Sequence, residues 1–301
     1  MTPTGGATRV TPAMQSSDRF DEVVDKLCAS SRRHYTNPYE GLEWPDELDR
    51  GRWFMSPELI SIYGTEAWEA LSEPQAKELS FWEAVNFFSL NIHGEKSLME
   101  GLARRLYAAG GKPVSPYLHH MLDEENKHSI YFGGFCTRYA GKVYPERKLA
   151  LAGDPEGAED FLFFAKVLIF EEIVDRYNVA MSADRRLHPI ARFINENHHL
   201  EETRHLAFGR GMVKRLFDEG RDRWPAELLD TVRHYLAGYL QVTWKEYYNP
   251  AVYADAGLPE PWSLAAATHA SPAARRHRHT ITSRCLRFLR QADIVSEEPV
   301  L

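Results

Sequence analysis

Asp123-Glu124-Glu125-Asn126-Lys127-His128 and His198-His199-Leu200-Glu201-Glu202-Thr203-Arg204-His205 decide how this chain is read. Both stretches lie inside long helical segments, and both contain the order Glu-Glu, polar, cation, His. A Glu three residues before a His on a helix turns carboxylate and imidazole to nearly the same side. Each copy is therefore half of a site for a hard, oxygen-seeking metal with nitrogen support. Two copies predict two metals.

A third Glu-x-x-His, Glu196 with His199, has to be weighed against these two. At about 100° per residue, His198, Glu202 and His205 fall within an arc of roughly 60°, whereas Glu196 lies about 120° from Glu202. Glu196 is expected to face solvent. Glu124 and Glu201 point about 100° away from Glu125 and Glu202 and are expected beside the site or on the surface.

Two further carboxylates interrupt apolar helix faces. Phe88, Asn91, Glu95, Leu98, Met99 and Leu102 share one face, and Phe164, Val167, Leu168, Glu171, Val174 and Asn178 share another. A carboxylate in such a stripe needs a partner. Taken singly, either is more often a satisfied core residue than a ligand. Their order changes the reading: Glu, Glu-x-x-His, Glu, Glu-x-x-His, one unit per helix, is the carboxylate two-metal pattern of a ferritin-like four-helix bundle.

Helix heights agree with that pattern. Glu95 precedes the Gly110-Gly111 break by about 14 residues and Glu125 follows the Ser115-Pro116 start by about ten, which places them about 20 and 15 Å from their shared turn. Glu171 and Glu202 are each about 14 residues from the turn near Arg186 to Pro189. Antiparallel neighbours can bring all four to one layer.

The 301 residues, 44% of them hydrophobic, suffice for one large helical core, expected over 18–301 with the bundle at about 74–218. Residues 1–17, rich in Thr, Gly, Pro and Ser, read as a disordered leader. The bundle helices are predicted at about 74–108, 115–140, 157–185 and 188–218. Further helices are predicted at about 18–33, 224–247 and 272–290, with chain breaks at Asn249-Pro250 and Leu258-Pro259-Glu260-Pro261. No strand-like alternation is convincing, so the expected class is all-α. Net charge −7 without a basic stripe argues against nucleic acid, and the cluster Arg275-Arg276-His277-Arg278-His279 reads as solvated first turns of the last helix. Three scattered cysteines suggest neither a disulfide framework nor a thiolate metal site. No membrane span or signal core is legible, and a cytoplasmic location is expected.

The runs Asn91-Ile92-His93-Gly94-Glu95, Glu171-Glu172-Ile173-Val174-Asp175 and the two quoted at the outset resemble the para-aminobenzoate N-oxygenase family of non-haem di-iron enzymes. The resemblance covers about residues 80 to 215 and includes His198, one turn before Glu202, where that family carries an extra His. It implies Glu95, Glu125, His128, Glu171, His198, Glu202 and His205 as metal ligands and catalytic residues. His199 is the weaker alternative to His198. Asp175 is expected either to orient a ligand His or to pair with an Arg.

The resemblance further implies two iron ions, dioxygen as co-substrate, a small-molecule amine as substrate and an external electron donor. The chemistry implied is oxidation of amine to hydroxylamine, nitroso or nitro, in secondary metabolism. A homodimer is the expected assembly. Carbon hydroxylation or desaturation on the same core is the alternative, with iron handling behind it. Phe88, Tyr131, Phe132, Phe164, Phe170, Tyr177 and Phe208 are candidates for lining a substrate pocket, although plain core is the commoner role for such residues.

Overall fold

Prolines and short polar caps start most of the helices, because a proline in the first turn gives up an N–H that would have no partner there. The computed structural model describes residues 12–108, 113–147, 151, 153–296, 299 and 301. Its helices are α1 (Pro12–Arg33), the single turn α2 (Glu66–Glu69), α3 (Glu73–Arg105), α4 (Ser115–Phe135), α5 (Glu159–Ala183), α6 (Pro189–Arg221), α7 (Ala226–Glu246), α8 (Pro250–Asp255), α9 (Pro261–Ala270) and α10 (Pro272–Gln291). Among the described residues the chain is all-helical, apart from an isolated bridge between Trp53 and Leu187. At the start of α3, Gln75 Oε1 accepts from the backbone N–H of Ser72 at 3.0 Å; at α10, Ser271 Oγ accepts from Ala274 N at 3.1 Å.

The hairpins α3–α4 and α5–α6 make the four-helix bundle. The long connection over residues 136–158 joins them, as one crossover does in ferritin-like folds. Around the bundle, α1 lies on α4 and α6, and both α7 and α10 lie on α5. No helix among the described residues is long and apolar enough to cross a membrane.

Several boundaries differ from the sequence reading. Of the expected leader, residues 1–11 lie outside the described residues, as does the Gly110-Gly111 break; α1 starts at Pro12, where proline suits a first helical position. The helix predicted to reach residue 140 ends at Phe135 and continues as a π turn, Cys136–Ala140, closed by Gly141 at φ +67°. Both expected breaks lead into helices, α8 from Pro250 with Asn249 as its cap and α9 from Pro261. Arg278 corrects the solvated reading of its cluster: it is buried and donates to the Tyr248 hydroxyl at 3.1 Å and the His269 carbonyl at 2.9 Å.

Away from the ligand layer, α3 buries Glu83, which accepts hydrogen bonds from the backbone and hydroxyl of Ser61. Burial pushes its carboxyl up to about 7, with the Ser61 bonds opposing only in part. Below its ordinary value near 4.5 both folded and unfolded forms carry the proton and nothing is lost. Above that, the unfolded form releases its proton first, so the cost to stability grows with pH and levels off past 7, at roughly 3 kcal/mol. Glu83→Gln should accordingly raise the unfolding free energy at pH 8 and gain much less at pH 5. Urea titrations at both values check this, and an equal effect at the two would contradict it.

Candidate metal centre

Each bundle helix delivers its share of the layer. Glu95 comes from α3, Glu125 and His128 from α4, Glu171 from α5, and His198, Glu202 and His205 from α6, all at most 3% exposed. The fold brings all seven expected residues together. Glu95, His128 and His198 have ligand atoms within 4.8 Å of one another, as do Glu125, Glu171 and His205, and Glu125, His128 and Glu202. Two positions result, one richer in imidazole and one richer in carboxylate, with Glu125 and Glu202 between them.

Glu202 and Glu125 each reach imidazoles of both positions. Oε1 of Glu202 lies 2.9 Å from His198 Nε2 and 3.2 Å from His205 Nδ1; Glu125 approaches His128 Nδ1 at 3.0 Å and His205 Nδ1 at 2.9 Å. Glu95 Oε1 stands 3.8 Å from His128 Nδ1 and 3.6 Å from His198 Nε2. Asn178 lies 2.9 Å from the other nitrogen of His198. The facing atom is Asn178 Nδ2, while Asn178 Oδ1 is buried without a partner; exchanging the two amide atoms would let Oδ1 accept from Nδ1–H and leave Nε2 free for a metal.

Four carboxylates in a dry layer cannot all stay charged without cations. Burial, reinforced by the neighbouring carboxylates, pushes Glu95 and Glu171 well above the usual range. Glu202 is held at about 2, because His205 and His198 overcome the opposing effect of burial. Burial works against charge on His128 as well, yet Glu125 and Glu201 bring it up to about 9. Protons thus stand where positive charge is wanted. Both oxygens of Glu171 and Oε2 of Glu202 are buried without a hydrogen-bond partner. Orphaned carboxylate oxygens beside three imidazoles are the donor set of a two-metal carboxylate site.

The surroundings of the layer contain what the sequence left unassigned. His205 Nε2 bonds Glu124 at 2.8 Å, and His128 Nε2 bonds Glu201 at 3.0 Å. Arg204 donates to Glu124 at 2.6 Å and Lys127 to Glu201 at 2.8 Å. The doubling of Glu in both motifs was the available signal. Asp175 bonds His199 Nδ1 at 2.5 Å and has Arg284 at 3.7 Å, so it serves neither His198 nor His205. His199 is 30% exposed in its side chain and Glu196 faces solvent.

A cleft of about 360 Å³ opens between α3, α5 and α7, lined in part by His93, Gly94, Leu98, Val167, Phe170 and Glu246. Leu98 and Val167 lie one turn from Glu95 and Glu171 on the same helix faces. The Phe170 ring rests on Gly94, where a Cβ would come within 2.4 Å of it. Of the aromatic residues considered as pocket lining, Phe170 borders this cleft. Phe164 and Tyr177 border other cavities, and Phe88, Phe132 and Phe208 are wholly buried in the core.

The model of the p-aminobenzoate N-oxygenase AurF family matches residues 17–293. The chain belongs to that family. Membership, together with the carboxylate and imidazole layer, makes it a non-haem two-metal oxygenase. Relatives include uncharacterized proteins of Mycobacterium tuberculosis and Mycobacterium bovis. Each is 26% identical over 247 residues, which is 77% of this chain and 69% of the relative. Among solved structures, the chain is similar at 15% identity to two mutant forms of an R2-like ligand-binding oxidase with a Mn/Fe cofactor. The TM-scores are 0.47, covering 91% of this chain and 93% of that one, and 0.49, covering 93% and 94%.

Proposed function

We propose that this oxygenase N-oxygenates a small-molecule amine, using two irons held by Glu95, Glu125, His128, Glu171, His198, Glu202 and His205. When bound, the metal pair supplies the activation of dioxygen. The first step is balanced as amine plus O2, two electrons and two protons giving hydroxylamine and water, with the electrons drawn from an external donor. The chain's residues hold the metals, keep the layer dry and admit the amine through the cleft beside Gly94 and Phe170. The cleft combines apolar lining from Leu98, Val167 and Phe170 with the polar groups His93, Glu146, Lys166 and Glu246, a mixture that suits a small molecule with an apolar body and a polar group.

His198 carries this reading. It is buried within the layer, 2.9 Å from Glu202, and adds a third imidazole to the six residues that a ferritin-like site of two Glu and two Glu-x-x-His would supply. With metal bound, His198 would add a neutral nitrogen donor to the carboxylate-rich set.

The test loads the chain anaerobically with ferrous iron, adds p-aminobenzoate and related arylamines with a chemical reductant, and admits ¹⁸O2. Label on nitrogen is expected by mass spectrometry. Label on carbon alone would favour the hydroxylase reading, and no labelled product across the panel with two irons bound would remove N-oxygenation. His198→Ala should lower the rate at least about 100-fold, beyond the cost typical of a residue that only supports a ligand. His199→Ala should retain most of it. Equal losses in the two would overturn the assignment of His198 as the extra ligand.

A further inference from the structure

We propose that Glu124, Glu201, Lys127 and Arg204 are positioning residues that tie the two metal positions together crosswise. The first Glu of each motif holds the ligand imidazole of the other motif. This rests on the two-metal reading above and adds to it the origin of each site's geometry.

Residues four apart on one helix are neighbours, so Glu124 would ordinarily be paired with His128 and Glu201 with His205. The structure pairs them the other way. Glu124 of α4 accepts from His205 of α6 at 2.8 Å, and Glu201 of α6 accepts from His128 of α4 at 3.0 Å. In both cases the bonded atom is Nε2. With Nε2 held by a carboxylate, Nδ1 is the atom turned into the layer and the one a metal would take in place of a proton; Nδ1 of His128 and of His205 stand 3.0 and 2.9 Å from Glu125.

The two cations repeat the crossing. Lys127, 2% exposed, donates to Glu201 at 2.8 Å, and Arg204, 7% exposed, donates to Glu124 at 2.6 Å. A buried carboxylate that lost its cation would stand uncompensated next to a ligand. Arg204 Nη2 also lies 3.7 Å from Glu201 Oε1, so one guanidinium touches both pairs. Lys127 has Asp123 at 3.7 Å and lies 5.0 Å from the exposed Tyr35 ring. The repeated order Glu-Glu, polar, cation, His is thus a single unit in which two residues serve the home helix and two serve its neighbour.

Damage should therefore cross the bundle. Glu201→Gln should loosen the position of His128, shared with Glu95 and His198, although Glu201 belongs to the second motif. Glu124→Gln should loosen the position of His205, shared with Glu171.

Anaerobic ferrous iron titrations of the full chain test this without reference to activity. The parent, Glu124→Gln, Glu201→Gln, His128→Ala, His205→Ala and the four double variants are compared. Each Gln variant is expected to weaken one of two irons about 10- to 100-fold. In the His128→Ala background Glu201→Gln should add little, and in the His205→Ala background its full effect; Glu124→Gln should behave in the reverse sense. Lys127→Met should reproduce Glu201→Gln, and Lys127→Arg should restore most of the affinity. The Gln variants, which keep side-chain volume, decide the matter should Lys127→Met fail to fold. Coupling of each Glu to the His of its own helix, or equal effects in both backgrounds, would overturn the inference while two irons in the parent keep the metal reading intact. A parent binding fewer than two would remove both.

Discussion

Glu202→Ala should leave the purified chain nearly empty of iron at both positions, and without the parent's oxygenase activity. Glu202 touches all three imidazoles: 2.9 Å to His198, 3.2 Å to His205 and 3.7 Å to His128. Most ligand losses would weaken one metal, but a residue placed between two positions weakens both. Structural zinc sites draw roughly 10–16 kcal/mol from four ligands, so a shared carboxylate is worth about 3 kcal/mol at each position, on the order of a hundredfold in affinity. Glu125→Ala, which removes the other bridging carboxylate, should behave alike. Metal analysis after desalting, with Glu196→Ala as the control that retains two irons, checks the result. Two irons retained in Glu202→Ala would refute the placement of the site.

Stripping the metals should lower the melting temperature by roughly 10–20 °C. Four carboxylates and three imidazoles sit in the bundle interior, and without metals only protons and their mutual hydrogen bonds offset the lost hydration. Each metal held at a hundred times its dissociation constant adds about 2.7 kcal/mol, and in a chain this long each kcal/mol is worth some 2–4 °C. The sign of the pH dependence follows from Glu95 and Glu171, both raised well above the ordinary carboxylate range. Metals must displace those protons, so the gap between loaded and stripped protein should narrow as the pH falls. Calorimetric scans at pH 6 and 8 would show it. Identical melting with and without metal would mean that the layer does not hold them.

The residues that meet in the layer were legible because their signal is local. A three-residue spacing fixes the mutual angle of Glu125 and His128 whatever surrounds them, and a lone carboxylate among Phe, Leu and Val marked Glu95 and Glu171. Angular arithmetic locates a side chain about its own helix axis but does not say which neighbour stands there. Glu124 and Glu201 could accordingly be placed beside the site while their partners on the opposite helix stayed hidden. The partners of Lys127 and Arg204 stayed hidden for the same reason. Arg278 was misread because the groups that receive it, Tyr248 and His269, are brought in by other segments of the chain. The helix α9 escaped notice because two prolines around Glu260 resemble a break, although the second is a helix start.

The crossed links between α4 and α6 also act as a gauge for assembly. Glu124 meets residues 204 and 205 while Glu201 meets residues 127 and 128, so the helices run antiparallel in one alignment. Sliding either helix by one turn, about 5.4 Å, would strand two acids and two bases in the interior at once. Such a misaligned bundle would be penalised before any metal arrived. The chain can thus sort correct from incorrect hairpin docking by itself, and deliver to the metals a cage whose dimensions have already been set.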